Sequence, residues 1–251
     1  MKSSVRFNSR LLTTATFDSG ALGLLVHLIH RFPQAGTYQA AVLRDGQRVG
    51  TTCFRVTDQT AGTQLNIDLA SVALPAGPAP CACREHPESA PAVSPEGYVL
   101  FHAPRSIGTY AVVVGEAKEG AQAVFDSRTL TDGDLFALLL IEPTTYGVES
   151  PGGAGKGEIR VAPIPPGTEL RTVAPVFIDA TGQGFQPAQV NVHAGQGIVF
   201  RARGAKRIVI TKRAAPQAAR RAAAPAAPGA RRVRRHVRVW RAGARRESPP
   251  S

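Results

Sequence analysis

The sequence predicts an all-β protein, a β-sandwich body followed by a disordered basic C-terminal tail, and three observations carry that expectation. Short apolar or alternating runs recur between turn residues, with 25 Gly and 20 Pro among 251 residues, a pattern of many short elements rather than long helices. The runs follow one another without the intervening helical patterns that βαβ units require. Charge then breaks near Thr211: residues 1–211 carry 18 Lys+Arg against 17 Asp+Glu, net +1, whereas residues 212–251 carry 12 against one, net +11. The high pI therefore belongs to the tail and says little about the body.

The chain begins with Met1-Lys2-Ser3-Ser4-Val5-Arg6, and its first apolar stretch, Ala21 to Ile29, is broken by Gly23 and His27 and lacks a small-residue cleavage site. No secretory signal is expected, and no run approaches the ~20 apolar residues of a membrane span. With Cys53, Cys81 and Cys83 as its cysteines, the chain is expected to keep free thiols in a cytoplasmic setting.

Strand-like runs occur at Thr13 to Phe17 and Leu24 to Phe32. A hairpin follows, Thr37 to Leu43 and Val49 to Val56, joined through Arg44-Asp45-Gly46-Gln47, because Asp-Gly tolerates the positive φ of a tight turn. Gln64 to Leu69 and Tyr98 to His102 bracket a proline-dense stretch, residues 74–95, expected as a long surface loop outside any sheet interior. Further strands are expected at Gln122 to Phe125, Leu135 to Ile141 and Gly157 to Val161, with the apolar Leu135 to Ile141 run as the central strand.

Three strand entries share a turn glycine followed by Thr and Tyr, or a looser version: Gly36-Thr37-Tyr38, Gly108-Thr109-Tyr110 and Thr144-Thr145-Tyr146-Gly147. Glycine supplies the turn, and the tyrosine packs at a sheet corner while its hydroxyl finds a backbone partner. The pattern resembles the strand entries of immunoglobulin-like sandwiches, which implies such a sandwich over residues 1–162. Beyond a linker at Pro163-Ile164-Pro165-Pro166-Gly167, the stretch Gly184-Phe185-Gln186-Pro187 through Val190-Asn191-Val192-His193-Ala194-Gly195 to Val199-Phe200 resembles one hairpin of a cupredoxin-like sandwich. That resemblance implies a smaller cupredoxin-like β unit over residues 163–211. Cupredoxin copper needs two His, a Cys and usually an axial Met. Here Arg201-Ala202-Arg203-Gly204-Ala205-Lys206-Arg207 follows without His, no Cys comes after it, and the one Met is Met1. The likeness implies shape and no copper.

A metal expectation rests instead on Cys81, Cys83 and His86, three zinc-compatible ligands within six residues, with a fourth ligand to be supplied by folding from His102, His27, His30 or Cys53. Against it, Cys-x-Cys is not the usual zinc knuckle, and a solvated loop with incidental thiols is the main alternative. His27 and His30, three apart in a strand, fall on opposite faces and do not converge on one ion. Gly152-Gly153-Ala154-Gly155-Lys156-Gly157 lacks the spacing and the Ser/Thr of a phosphate loop and reads as a turn. Asp132-Gly133-Asp134 lacks the remainder of a calcium loop and reads as a strand-capping turn.

In the tail, Arg231, Arg232, Arg234, Arg235, Arg238, Trp240 and Arg241 form a cationic cluster with one aromatic ring. Dense like charge keeps such a segment from packing a core and suits it to phosphate backbones, with Trp240 able to stack on a base; an anionic membrane surface is the close alternative. A GC-rich gene read out of frame would produce the same Arg/Ala/Pro composition. The sequence thus points to a non-catalytic structural or protein-interaction module of unknown partner, without a cofactor. The alternatives are a nucleic-acid-associated protein acting through its tail and, third, a metal-binding cupredoxin-like protein.

Overall fold

The computed structural model describes residues 14–58, 61–73, 87–104, 108–153, 155–165, 167 and 173–213. The regular structure in these residues is almost entirely strand, as the alternation of apolar residues predicts. The first eight strands are β1 (Thr16–Asp18), β2 (Val26–His30), β3 (Gly36–Arg44), β4 (Gln47–Val56), β5 (Gly62–Asp68), β6 (Ala92–His102), β7 (Tyr110–Glu116) and β8 (Ala123–Asp126). The second eight are β9 (Leu135–Leu139), β10 (Thr145–Glu149), β11 (Lys156–Ala162), β12 (Val176–Thr181), β13 (Gly184–Gln186), β14 (Gln189–His193), β15 (Gly197–Arg203) and β16 (Val209–Lys212). One helical turn, α1 (Leu69–Val72), follows β5, capped by the Asp68 carboxylate, which accepts from the backbone of Ala70 and Ser71.

The β3–β4 hairpin turns at Asp45 and Gly46 with φ of 50° and 84°, the positive pair that matches strand twist. Its inward residues, Tyr38, Ala40 and Val42, are buried while their neighbours are partly exposed, the period of two that a half-buried strand requires. The three tyrosine-bearing entries do launch strands, at β3, β7 and β10, and Tyr38 Oη donates to the Gln34 carbonyl at 2.8 Å.

The proline-dense stretch yields a strand earlier than expected. Residues 74–86 lie outside the described residues, but β6 begins at Ala92, so Pro95 sits inside a strand. It is tolerated because β6 changes partners there. Ala92 and Val93 run parallel to β4, whereas Tyr98 to His102 run beside β5, and the ladder slips between Gly62 and Gln64. Pro95 falls in that bulge, where it removes no ladder bond. Gly97 is required in the same bulge, since a Cβ there would lie 2.6 Å from the Thr63 carbonyl oxygen.

The strands form two sheets: a five-stranded sheet in the order β1-β16-β10-β11-β14, and an eleven-stranded sheet in the order β13-β12-β15-β9-β2-β6-β4-β3-β7-β8, with β5 on the free side of β6. The expected central strand, β9, lies between β15 and β2. Two expectations about the second half change. First, residues 163–211 do not stand apart from what precedes them: β12, β13 and β15 extend the large sheet beside β9, while β14 and β16 join β11 and β10. The described residues accordingly belong to one compact unit. Second, β14 and β15 do not pair as a hairpin. β14 pairs with β11 and β15 with β9 and β12, so the turn at Gly195, φ 79°, carries the chain from one sheet to the other. The expected tail also begins slightly late, because Lys212 closes β16 opposite Tyr146 and the Arg213 amide donates to the Thr145 carbonyl at 2.9 Å.

A single apolar cluster fills the unit. It joins Val148, Ile159, Val192 and Ile210 of the small sheet with Phe136, Leu138, Ile198 and Phe200 of the large one. At the other end Phe32, Tyr38, Phe54, Phe101 and Phe125 pack ring to ring, with Phe101 stacked on Phe125 at 5.7 Å. Because these rings come from β6 and from β3, β4 and β8, the large sheet folds its two arms over one another, joined through the short β4–β6 contact.

Candidate functional site

Cys81, Cys83 and His86, the zinc-compatible set, and Arg231, Arg232, Arg234, Arg235, Arg238, Trp240 and Arg241, the cationic tail cluster, all lie outside the described residues. Cys53, one of the ligands that folding was to supply, is disulfide-bonded and buried to 8% exposure, so the expectation of free thiols fails for it. Among the described residues no group of three or more His, Cys, Asp or Glu side chains is placed to hold a metal ion together, and no helix is long and apolar enough to cross a membrane.

Two other sequence-derived readings take shape. In the Asp132-Gly133-Asp134 turn, Asp134 Oδ2 accepts from the Thr131 amide at 2.7 Å and hydroxyl at 3.0 Å, while Asp132 Oδ1 accepts from the Gly204 amide at 2.6 Å. Each carboxylate holds a backbone amide with one of its oxygens, as a strand-capping turn requires. Lys156 faces Glu149 across the β10–β11 ladder, and Gly155 packs directly on the backbone of Gly184, so the glycine-rich segment serves a close chain approach.

The residues that do converge lie on the outer face of the large sheet's longer arm. Paired residues in neighbouring strands share a face. One row runs Asp68, His102, His27, Ala137, Val199, Phe177 across β5, β6, β2, β9, β15 and β12, and the next runs Asn66, Leu100, Ile29, Leu135, Arg201, Asp179. Six strands at their normal spacing make this face about 24 Å wide. Its inward counterparts, Phe101, Leu28, Phe136 and Phe200, are fully buried, whereas Tyr98 and Phe177 on the face are 42% and 48% exposed. Arg201 lies over the Phe177 ring, 5.4 Å from its centroid, and shares Asp179 with Arg203, at 2.7 Å and 3.2 Å.

His27 and His102 are directly opposed in the β2–β6 ladder, with ring centroids 5.9 Å apart and planes inclined by 26°. Burial, then the neighbouring His102, hold the His27 imidazole below its ordinary value, and its hydrogen bond to the Ala137 backbone offsets part of that. The pair borders a hollow of about 390 Å³ whose other walls are largely apolar: Leu24, Leu25, Val26, Ala103, Pro104 and Leu139. His30, as its spacing predicts, points to the opposite face. There its Nδ1 meets Asp134 Oδ1 at 2.6 Å and its ring stacks on Phe125 at 4.1 Å.

Comparison of the chain with protein-family models, with curated proteins and with solved structures finds no match.

Proposed function

We propose that the β-sandwich is a non-catalytic protein-interaction module whose contact surface is the outer face of the β5-β6-β2-β9-β15-β12 arm. The observation that carries this reading is the exposure of Tyr98 and Phe177 on a broad sheet face that also presents Ile29, Leu100, Leu135 and the Arg201–Arg203–Asp179 group. Aromatic rings and arginines beside aliphatic side chains are the composition that protein interfaces favour. The immunoglobulin-like and cupredoxin-like resemblances rest on the Gly-Thr-Tyr strand entries and on the Gly184 to Phe200 stretch; both support a sandwich used for contact and neither supplies a reaction. The disulfide at Cys53 favours an oxidising compartment over the cytoplasmic one.

The test places a photo-crosslinking phenylalanine analogue at Phe177, at Tyr98 and, as control, at Val124 on β8, which is 52% exposed on the other arm. In cells of the source organism, positions 177 and 98 are expected to give the same discrete adduct and position 124 none. Adducts that are absent or equal at all three positions overturn the reading.

A second reading has its own observation, the net +11 of residues 212–251. Non-specific binding to duplex DNA or RNA through Arg231 to Arg241 predicts a log affinity that falls with log salt by roughly 0.9 per phosphate neutralised. Replacing Arg231, Arg232, Arg234 and Arg235 with Gln in the full chain is expected to flatten that slope; an unchanged slope removes the tail from the interaction.

A further inference from the structure

We infer that His27 and His102 form a binding site for a divalent late transition-metal ion on the outer face of the large sheet. The two histidines come from strands 75 positions apart in sequence and are placed opposite one another by the β2–β6 register, so neither ring depends on a loop for its position. Two imidazoles sharing an ion at metal–nitrogen bonds of about 2.0–2.1 Å have centroids on the order of 5–6 Å apart, and here the separation is 5.9 Å.

The surroundings suit such a ligand pair. Ala137, directly across from His27 on β9, brings only a methyl group to the face, so no third polar side chain crowds the pair on that side. Asp68 pairs with His102 on the far side, but its carboxylate is taken up by Ala70, Ser71 and the Ser71 hydroxyl, so the protein donor set is the two imidazoles. The apolar walls of the adjoining hollow add no competing donor, and its open side leaves the remaining coordination positions to water or to a donor brought by another molecule. Imidazole nitrogens without carboxylate or thiolate select nickel, copper and zinc over magnesium or calcium. The site involves neither Cys81, Cys83 nor His86, and it is unlike the cupredoxin ligand set considered from the sequence.

The test titrates the full chain with Ni(II), which avoids thiol oxidation, and follows the heat of binding together with paramagnetic broadening of backbone amide signals. One ion per chain is expected, with broadening centred on His27, His102 and Ala137. His27→Gln and His102→Gln are each expected to weaken that binding by at least about tenfold, while His193→Gln leaves it unchanged. Broadening centred elsewhere in the unmodified chain, an absence of binding, or equal affinity in the His27→Gln/His102→Gln double variant overturns the proposal. Because the broadening pattern is read on the unmodified protein, the answer stands even if a variant fails to fold.

Discussion

His30 and Asp134 lie 104 residues apart and meet at 2.6 Å beneath the sheet, the imidazole stacked on Phe125 and the carboxylate 2% exposed. Asp134 uses its second oxygen for Thr131, so its buried lone pairs are divided between β2 and the turn before β9. Removing either partner strands the other away from water. His30→Ala is therefore expected to cost about 3 kcal/mol in urea unfolding. His30→Gln, which keeps a hydrogen-bonding group in place, is expected to recover part of the loss, and equal midpoints for all three proteins would show the contact to be idle.

Gly97→Ala forces a methyl group against the Thr63 carbonyl oxygen and a Val93 methyl in the β5–β6 bulge. A backbone neighbour cannot rotate away, so about 2 kcal/mol or more of stability is expected to be lost. Gly182→Ala meets nothing within 4 Å and serves as the control, with a change expected within about 0.5 kcal/mol. Denaturant midpoints of the two variants make the comparison.

Tyr146 is 1% exposed, and burial, followed by the nearby Glu142 charge, pushes its hydroxyl up to about 12. In the unfolded chain the group ionises near 10. The fold holds the neutral form, so its contribution is complete below pH 10 and is lost as pH rises from 10 towards 12, by on the order of 2 kcal/mol. Tyr146→Phe is expected to flatten the fall of stability across that window relative to the unmodified protein. Parallel curves would rule out this tyrosine as the cause.

The disulfide at Cys53 ties down β4, whose other buried residues Phe54 and Val56 belong to the aromatic end of the core. Reductant is expected to lower the unfolding free energy by about 2–4 kcal/mol. Cys53→Ser is expected to start at the lower value and to show no further response to reductant, so a response of the unmodified size in that variant would locate the effect elsewhere.

Local signals were legible where neighbouring residues carry the whole cause. Asp45-Gly46 announces the β3–β4 turn, the tyrosine entries announce β3, β7 and β10, and the spacing of His27 and His30 separates their faces. What stayed hidden depends on pairing between distant segments. The alternation of β14 and β15 is the same whether they bond to each other or to different sheets, so the crossover at Gly195 resembled a hairpin and residues 163–211 resembled a separate unit. Pro95 argued against a strand because nothing nearby reveals that β6 changes partners there. The opposition of His27 and His102, and the meeting of His30 with Asp134, follow from register alone.

The first described strand is completed by the last: Thr16, Phe17 and Asp18 of β1 pair with Thr211, Ile210 and Val209 of β16, and Arg207 holds the Asp18 carboxylate at 2.5 Å. Since β16 also sits between β1 and β10, the small sheet has a gap in its middle until the final strand arrives. A chain emerging from a ribosome therefore leaves β1 waiting through almost two hundred residues of synthesis, and the sandwich shuts only when β16 slots in. The same adjacency makes Ala15 and Lys212 neighbours in space, so a permuted chain that joins the segments beside them directly and opens at the Asp45-Gly46 turn would keep every sheet pairing described.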